Sequence, residues 1–287
     1  RPVRLAIVGG GAIGCEMATL FARFGTEVHL LDVAPTAFPG LPDEVGEIVD
    51  DGLRSAGVRV CRGVDIERVE QRGGGVRTTL SNGASVDTSH LLVAVGRHPR
   101  TVGIGLERVG VERPQAPTVG PNGRMDAEGS VWAIGDAAGQ DQYTHVANHH
   151  GEVVADALVG SGTRRFDDVV TPACVFTDPP VLTIGPRPDE VADDVRWVSA
   201  HLSETPRWTT DELVDGVLTI GVEVDTRTVI AAHGVGAGFD VLAAALVTAI
   251  DGRLTVDALS RSMWPFPSVG EILGVAYSRA VDSLDAP

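Results

Sequence analysis

Residues 4–14 have the sequence RLAIVGGGAIG. The stretch from Arg4 to Val8 is a short apolar run, typical of a parallel strand that is covered on both faces. The glycine-rich part that follows matches the pattern G-x-G-x-x-G. Downstream, apolar residues from Met17 to Phe24 recur at helical spacing and stop at Gly25, a residue type that commonly ends helices. The pattern therefore predicts a glycine turn that leads from a strand into a helix.

Each glycine of this turn has a physical task. Gly9 permits the tight turn, Gly11 leaves room for a ligand to approach the backbone, and Gly14 lets the helix lie close to the strand. The first N–H groups of the helix, at Ala12 and Ile13, have no intrahelical acceptor and lie at the positive helix end. Such a helix start binds phosphates, so the sequence predicts a dinucleotide diphosphate site.

A second predicted strand, residues 27–31, is followed directly by Asp32. A carboxylate at this point can accept hydrogen bonds from both ribose hydroxyls of NAD(H). It would repel the 2′-phosphate of NADP(H), and residues 33–36 contain no arginine to neutralise that phosphate. The sequence favours NAD(H), although an arginine from a distant part of the chain would alter that preference.

The following segments complete a nucleotide-binding unit. An acidic helix start at Pro42 to Glu44 precedes an apolar helical face, and residues 58–61 form a third strand. Residues 65–80 alternate in polarity around Gly73-Gly74-Gly75, which predicts an antiparallel meander. Residues 90–95 are a further apolar strand, and together these segments predict a Rossmann-type α/β domain.

Composition limits the classes of partner. The chain has 287 residues, 43% of them hydrophobic, which is enough for about two domains or a few subdomains. Its net charge of −16 disfavours nucleic acid and anionic membrane surfaces as partners. The apolar run 241–250 is too short to span a bilayer and predicts a core helix. No secretory signal is recognisable, so the expected location is cytoplasmic.

Cysteine and histidine spacing gives no indication of a metal site. Cys15, Cys61 and Cys174 do not form metal or redox pairs, and we expect them to be buried apolar residues. His145, His149 and His150 have no acidic partner at metal spacing, so we interpret them as surface or helix residues. The chain starts with Arg1 directly before a strand, which suggests a fragment of a longer protein.

Five segments, in order, resemble the pyridine nucleotide-disulfide oxidoreductase family, which includes dihydrolipoamide dehydrogenase, glutathione reductase and mercuric reductase. The resemblance covers nearly the whole chain. In chain order, the five segments resemble the start of the family's NAD domain, the segment that leaves that domain, the second flavin motif, the first strand of the dimerisation domain and the C-terminal motif. These segments are GGGAIGCE at 9–16, LVAVGRHP at 92–99, VWAIGD at 131–136, VFTDP at 175–179 and FPSVGE at 266–271.

The resemblance implies roles for particular residues. Asp136 corresponds to the aspartate that hydrogen-bonds the ribityl or phosphate region of FAD. The helix that begins near Thr144 and includes Ala147 would point its positive N-terminus at the flavin ring. Gly96 and Arg97 would lie along the NAD, and Glu16 would lie near the nicotinamide.

Two departures from the family pattern affect the predicted chemistry. A first FAD-binding glycine motif and a Cys-x4-Cys pair precede the NAD domain in family members, and neither is in this sequence. The disulfide-reducing members also place an acid/base histidine where this chain has Phe266, which cannot transfer a proton. We expect Glu271 to form a capping box with Ser268, and Trp264 and Phe266 to pack near a partner subunit's flavin or to shape an acceptor pocket.

The resemblance implies an α/β protein with three parts: a Rossmann-type NAD domain at 1–98, part of an FAD domain at 99–167 and a mixed α/β dimerisation domain at 168–287. The predicted activity is hydride transfer from NADH to FAD and on to a small acceptor such as a quinone, in a homodimer. One alternative is a disulfide reductase whose cysteine pair lies outside this sequence. The other is a catalytically silent NAD-binding remnant.

Overall fold

The computed structural model describes residues 1–111, 119–125, 131–212 and 215–286. The chain divides into two compact units. Unit 1 combines Arg1–Gly96 with Pro172–Pro287, and unit 2 is Arg97–Thr171. The division into three domains at 98 and 167 stays a prediction.

A parallel sheet forms the N-terminal half of unit 1. Its strand order is β3-β2-β1-β7, with all neighbours parallel, which is the predicted Rossmann arrangement. Helices α1 and α2 follow β1 and β2. Strands β3 and β7 are shorter than the sequence suggested, since Val58 and Val95 lie outside them. The bounds are β1 Arg4–Val8, α1 Ala12–Arg23, β2 Glu27–Leu31, α2 Asp43–Ser55, β3 Arg59–Cys61 and β7 His90–Val93.

Between β3 and β7 the chain forms a three-stranded antiparallel sheet. Its strands are β4 Ile66–Arg72, β5 Gly75–Leu80 and β6 Ser85–Thr88. Gly73 and Gly74 both have positive φ in the turn between β4 and β5. That conformation favours glycine, and it accounts for the glycine run from which a meander was predicted.

The C-terminal half of unit 1 is a five-stranded antiparallel sheet in the order β10-β11-β12-β9-β8. Its apolar helix α5 buries Leu242 and Leu246, but Val241 is exposed, so only one face of this predicted core helix lies in the core. The bounds are β8 Pro172–Val175, β9 Val181–Ile184, β10 Val195–His201, α4 Pro206–Asp211, β11 Val217–Glu223, β12 Val229–Val235, α5 Phe239–Asp251, α6 Val256–Leu259 and α7 Glu271–Asp285.

The two halves of unit 1 share one hydrophobic core. Leu5 and Ile7 of β1 belong to the same buried cluster as Val181 and Val235 of the C-terminal sheet. Helix α2 also approaches the second half closely, because a Cβ on Gly52 would overlap the carbonyl oxygen of Asp178. The half of unit 1 that contains the parallel sheet is therefore covered by the C-terminal sheet.

Unit 2 is built around helix α3, Thr144–Val159. A small core of Ala133, Ala138, Val153 and Phe166 holds this helix against short 3-10 turns. Across the described residues of both units, none of the helices has the length and apolarity needed to cross a bilayer.

Candidate functional site

Four parallel strands end at the same edge of the first sheet. Val8 pairs with Leu31 of β2 and Val93 of β7, and Leu31 pairs with Cys61 of β3. The residues that follow these strand ends therefore lie side by side. They are Gly9, Asp32, Arg62 and Ala94. Ligands of open parallel sheets bind in a crevice at the carboxyl ends of the strands, at the point where the strand order reverses. In this sheet that point is β1, which has β2 and β3 on one side and β7 on the other.

Two glycines of the motif are required by the protein itself. Gly9 has a φ of 99°, and a Cβ there would overlap the carbonyl oxygen of Ala94. A Cβ on Gly14 would overlap the carbonyl oxygen of Gly9. The tight turn and the close helix approach that the motif predicts are both present.

Gly11 is different, because nothing in the described protein requires it to be a glycine. Its φ is −78°, which other residues adopt, and a Cβ there would meet no described atom within 4 Å. The space beside Gly11 is open, at the point where a dinucleotide diphosphate needs to approach the backbone.

The start of α1 supplies donors to that space. The first intrahelical bond runs from Cys15 N–H to Gly11 O at 2.9 Å, so the N–H groups of Ala12 and Ile13 precede the helical ladder. Gly11 is the N-cap and has no side chain that could satisfy them. The positive end of α1 therefore faces the open crevice with donors suited to a diphosphate.

Asp32 lies at the tip of β2 as predicted, but it is already paired with a distant arginine. Arg62 Nη1 lies 2.7 Å from Asp32 Oδ2, and Arg62 Nη2 lies 2.8 Å from Asp50 Oδ1 on α2. Sequence reasoning missed this partner because Arg62 follows β3. The parallel register Leu31↔Cys61 is the signal that would have found it, since it places the next residues of both strands together.

The Asp50 partner also sets the protonation of Arg62. Burial lowers the pKa of the Arg62 guanidinium, but the hydrogen bonds and charges of Asp50 and Cys15 together raise it by more, so the net pKa lies above its ordinary value. Arg62 is therefore a permanent cation behind Asp32.

The thiols near this crevice are not activated. Burial raises the pKa of Cys15 to about 11, even though Arg62 lowers it. Burial likewise raises the pKa of Cys174 to about 11. Only Cys15 is fully buried; Cys61 and Cys174 are partly exposed, so the expectation of three buried cysteines was wrong for two of them.

Glu16, expected near the nicotinamide, links the two halves of unit 1. Its Oε1 accepts a hydrogen bond from the backbone N–H of Phe176 at 3.0 Å. Phe176 directly follows β8, and its ring is exposed. The carboxylate is thus fixed at the junction between α1 and the C-terminal sheet.

In unit 2, Gly135 and Asp136 form a tight turn against α3. Gly135 has a φ of 56°, and a Cβ there would lie 2.9 Å from the Cβ of Ala147. The close approach explains a glycine and a small alanine at these positions. Both residues belong to the 3-10 turn Gly135–Ala138. Tyr143, the N-cap of α3, gives the helix no side-chain cap hydrogen bond.

His150 holds this turn in place. Its Nδ1 accepts a hydrogen bond from the Gly135 N–H at 3.2 Å, and its ring stacks on Phe166 at a centroid distance of 3.6 Å. The residue is 1% exposed, so it is a buried helix residue and not a surface one. The three histidines all lie on α3, and His149 Nε2 lies 3.2 Å from the carbonyl oxygen of Arg165.

Arg97, expected along the NAD, pairs with a predicted flavin residue. Its Nη1 lies 3.0 Å from Asp136 Oδ2, and both side chains are about half exposed. Gly96, with a φ of 114°, is the last residue of the first segment of unit 1. The structure thus brings Arg97, Asp136 and Ala147 together in unit 2.

The C-terminal motif departs partly from expectation. Phe266 is 76% exposed, whereas Trp264 lies against Tyr277 of α7 at a centroid distance of 6.3 Å. Glu271 Oε2 accepts a hydrogen bond from the Ser268 N–H at 2.9 Å, which is half of the predicted capping box. The other half is missing, since the buried Ser268 Oγ has no partner in the part of the chain that is described.

No grouping of metal-ligating side chains occurs among the residues that the structure describes.

Comparison with known proteins identifies this architecture. The profile of the pyridine nucleotide-disulphide oxidoreductase family matches residues 1–151, and that of the family's dimerisation domain matches residues 171–277.

Individual relatives cover almost all of the chain. A dihydrolipoyl dehydrogenase from Pseudomonas aeruginosa is 31% identical over 98% of the chain, which is 61% of that relative. A mercuric reductase from Staphylococcus aureus is 29% identical over 96% of the chain and 52% of its own length. The chain thus spans between about half and three fifths of these relatives.

Solved structures agree with the fold. The HOCl-induced flavoprotein disulfide reductase RclA from Escherichia coli superimposes with a TM-score of 0.85 at 27% identity, over 96% of this chain and 65% of that chain. LpdA from Mycobacterium tuberculosis gives the same TM-score at 25% identity, over 97% and 61%.

Proposed function

Since this chain belongs to the pyridine nucleotide-disulphide oxidoreductase family, we propose that it carries the nicotinamide-dinucleotide site, and part of the flavin site, of an FAD-dependent oxidoreductase. The observation that carries the proposal is Gly11, a glycine with open space beside it at the start of α1. Among the described residues no contact requires a glycine at this N-cap, whereas a bound diphosphate would need the space that a side chain would take.

We further propose NADH as the preferred nucleotide. Asp32 stands at the tip of β2, where the ribose hydroxyls of NAD(H) would meet its carboxylate. Its carboxylate would repel the additional phosphate of NADPH.

The residues of unit 2 fit a flavin. FAD supplies two-electron chemistry to proteins that bind it. Gly135 allows the Asp136 turn to pack on α3, and the positive N-terminus of α3 would stabilise negative charge on a reduced ring. Asp136 would hold the ribityl or phosphate region, with Arg97 orienting its carboxylate.

For the electron acceptor, a disulfide is favoured over the quinone suggested by the sequence. The support is the names of the relatives, which include dihydrolipoyl dehydrogenase and flavoprotein disulfide reductase. Direct transfer from the flavin to a small acceptor is the second candidate. It is motivated by Phe266, because a phenyl ring at the position of the family's histidine cannot protonate a dithiol. The dimerisation-domain match supports a homodimer.

The dinucleotide proposal is tested by calorimetry with NADH on wild type, Gly11→Ala and Gly151→Ala. Gly151 on α3 is the matched control, because a Cβ there also meets nothing within 4 Å. We expect Gly11→Ala to weaken NADH binding at least about 10-fold, and Gly151→Ala to bind like wild type. Equal affinity of wild type and Gly11→Ala would contradict the proposal.

The acceptor is tested with the full-length polypeptide carrying FAD, because the family's first FAD glycine motif and its cysteine pair are not in this sequence. NADH oxidation is followed with lipoamide or a benzoquinone as acceptor. Turnover of lipoamide supports the disulfide reductase, turnover of the quinone alone supports direct transfer, and NADH binding without turnover of either supports the silent remnant.

A further inference from the structure

Arg62 connects four elements at the dinucleotide crevice. Its Nη1 donates to Asp32 Oδ2 after β2 and to the carbonyl oxygen of Gly10 at 3.2 Å in the glycine turn. Its Nη2 and Nε donate to Asp50 of α2. The Arg62 side chain is only 7% exposed and that of Asp32 14% exposed. The ion pair is therefore a built part of the crevice and not a surface contact.

Asp50 holds Arg62 independently of Asp32. Two nitrogens of the guanidinium, Nε and Nη2, are directed at Asp50, and only Nη1 is directed at Asp32. If the Asp32 carboxylate were removed, Asp50 and Gly10 O would keep the guanidinium in place. Nη1 would then face the position that the carboxylate had occupied.

Gly10 gives an independent sign that the crevice is shaped around this pair. A Cβ on Gly10 would overlap Arg62 Nη1 and would lie 2.6 Å from Asp32 Oδ2. The middle glycine of the GGG run is thus needed for the ion pair, whereas Gly11 faces open space. The turn accommodates Arg62 on one side and leaves room for a ligand on the other.

The position of Asp32 is the one that distinguishes the two nicotinamide dinucleotides. A carboxylate there accepts from the ribose hydroxyls of NAD(H), whereas an arginine nearby accommodates the 2′-phosphate of NADP(H). In this chain both groups are present. The Asp32 carboxylate is the more exposed of the two, and the Arg62 guanidinium is paired with it. Arginine binds phosphate strongly through charge-assisted hydrogen bonds.

We infer that Arg62 is a specificity-determining residue of the dinucleotide site. Asp32 masks the Arg62 guanidinium, and this guanidinium becomes the donor for a 2′-phosphate once the Asp32 carboxylate is removed. The inference rests on the proposed dinucleotide function and goes beyond it. It assigns the preference for NADH to the masking of a cation by Asp32, in addition to the contact between Asp32 and the ribose.

The test is calorimetry of NADH and NADPH binding to four proteins: wild type, Asp32→Ala, Arg62→Met and the double variant. We expect Asp32→Ala to shift the NADPH-to-NADH affinity ratio towards NADPH by at least about 10-fold, because a charge-assisted hydrogen bond to the 2′-phosphate is gained. Adding Arg62→Met should abolish the gain in NADPH affinity. The NADPH affinity of Asp32→Ala should also fall with added salt.

Removing Arg62 leaves the buried Asp50 with only the longer contact to Arg54, 3.6 Å between Arg54 Nη2 and Asp50 Oδ2. The variant Asp32→Ala/Asp50→Asn/Arg62→Met is therefore made as a folded counterpart and checked by thermal unfolding. Equal NADPH affinity of Asp32→Ala with and without Arg62 would overturn the inference while leaving the dinucleotide proposal intact, provided that wild type binds NADH. Failure of wild type and Asp32→Ala to bind either dinucleotide would overturn both.

Discussion

The backbone N–H of Gly135 donates a hydrogen bond to Nδ1 of His150, so the turn that carries Asp136 is held by a histidine that has to be neutral. The pKa of His150 is lowered from its ordinary value of 6.5 by burial and by His149, while Asp141 opposes the change. The unfolded chain therefore takes up this proton at a higher pH than the folded chain. The stability that His150 contributes is present above pH 6.5 and is lost as the pH falls through its lowered folded pKa.

We expect His150→Gln to remove this pH dependence, since a glutamine oxygen can accept the Gly135 N–H without titrating. His150→Ala leaves the buried N–H unpaired and should lower stability by about 1–3 kcal/mol. Urea denaturation at pH 5.5 and 7.5 measures both effects. His29 and His233 also have lowered pKa values and titrate in every variant, so the difference from wild type isolates His150. An identical pH dependence in wild type and His150→Gln would refute the prediction.

Gly14→Ala and Gly11→Ala should differ in their effect on the free energy of unfolding. A Cβ on Gly14 would collide with Gly9 O, so we expect a loss of about 1–3 kcal/mol of stability from overpacking. Gly11→Ala should change stability by less than about 0.5 kcal/mol, because its Cβ meets nothing. Thermal unfolding without nucleotide compares the two, and equal destabilisation would show that Gly11 has a structural role.

Cys15 and Cys174 should resist alkylation. With pKa values of about 11, both thiols are almost entirely protonated at pH 8, and only the thiolate reacts. Peptide-resolved mass spectrometry after iodoacetamide treatment should show little modification at either site, with rates that increase about tenfold per pH unit between pH 8 and 10. The same reaction in urea is the control, since unfolding removes the burial. Rapid modification of folded protein at pH 7 would contradict the pKa assignment.

Glu16→Ala should loosen the junction between α1 and the C-terminal sheet. It removes the acceptor for the Phe176 N–H, a partly exposed hydrogen bond worth about 1 kcal/mol or less. We expect a decrease in melting temperature of a few degrees at most. Glu16→Gln keeps an acceptor oxygen and serves as the matched control. A larger decrease for the glutamine than for the alanine variant would rule out this role.

The N-terminal segment up to Asp32 was predictable because local chemistry dictates its structure. The strand, glycine turn, helix and second strand up to Asp32 each depend on neighbouring residues, and the structure has them in the predicted order. Arg62 was not predictable in that way, because it meets Asp32 only through the register of two parallel strands.

The burial of His150 was not predictable for a different reason. Val146, His150 and Val153 are the buried residues of α3, which is the spacing of one helical face. The sequence predicted the three histidines as surface or helix residues, and their position on a helix is confirmed, but the burial of His150 was not predicted. What decided its position was a tertiary partner, the Gly135 N–H, and no local pattern reveals such a partner.

The shared core of unit 1 has a consequence for synthesis on the ribosome. Leu5 and Ile7 of β1 pack in the same cluster as Val217 and Val235, which are translated more than two hundred residues later. The apolar surface of the first parallel strands therefore stays uncovered until most of the polypeptide has emerged. A chain stalled or cut before β12 would expose that surface, and chaperones would be expected to bind it.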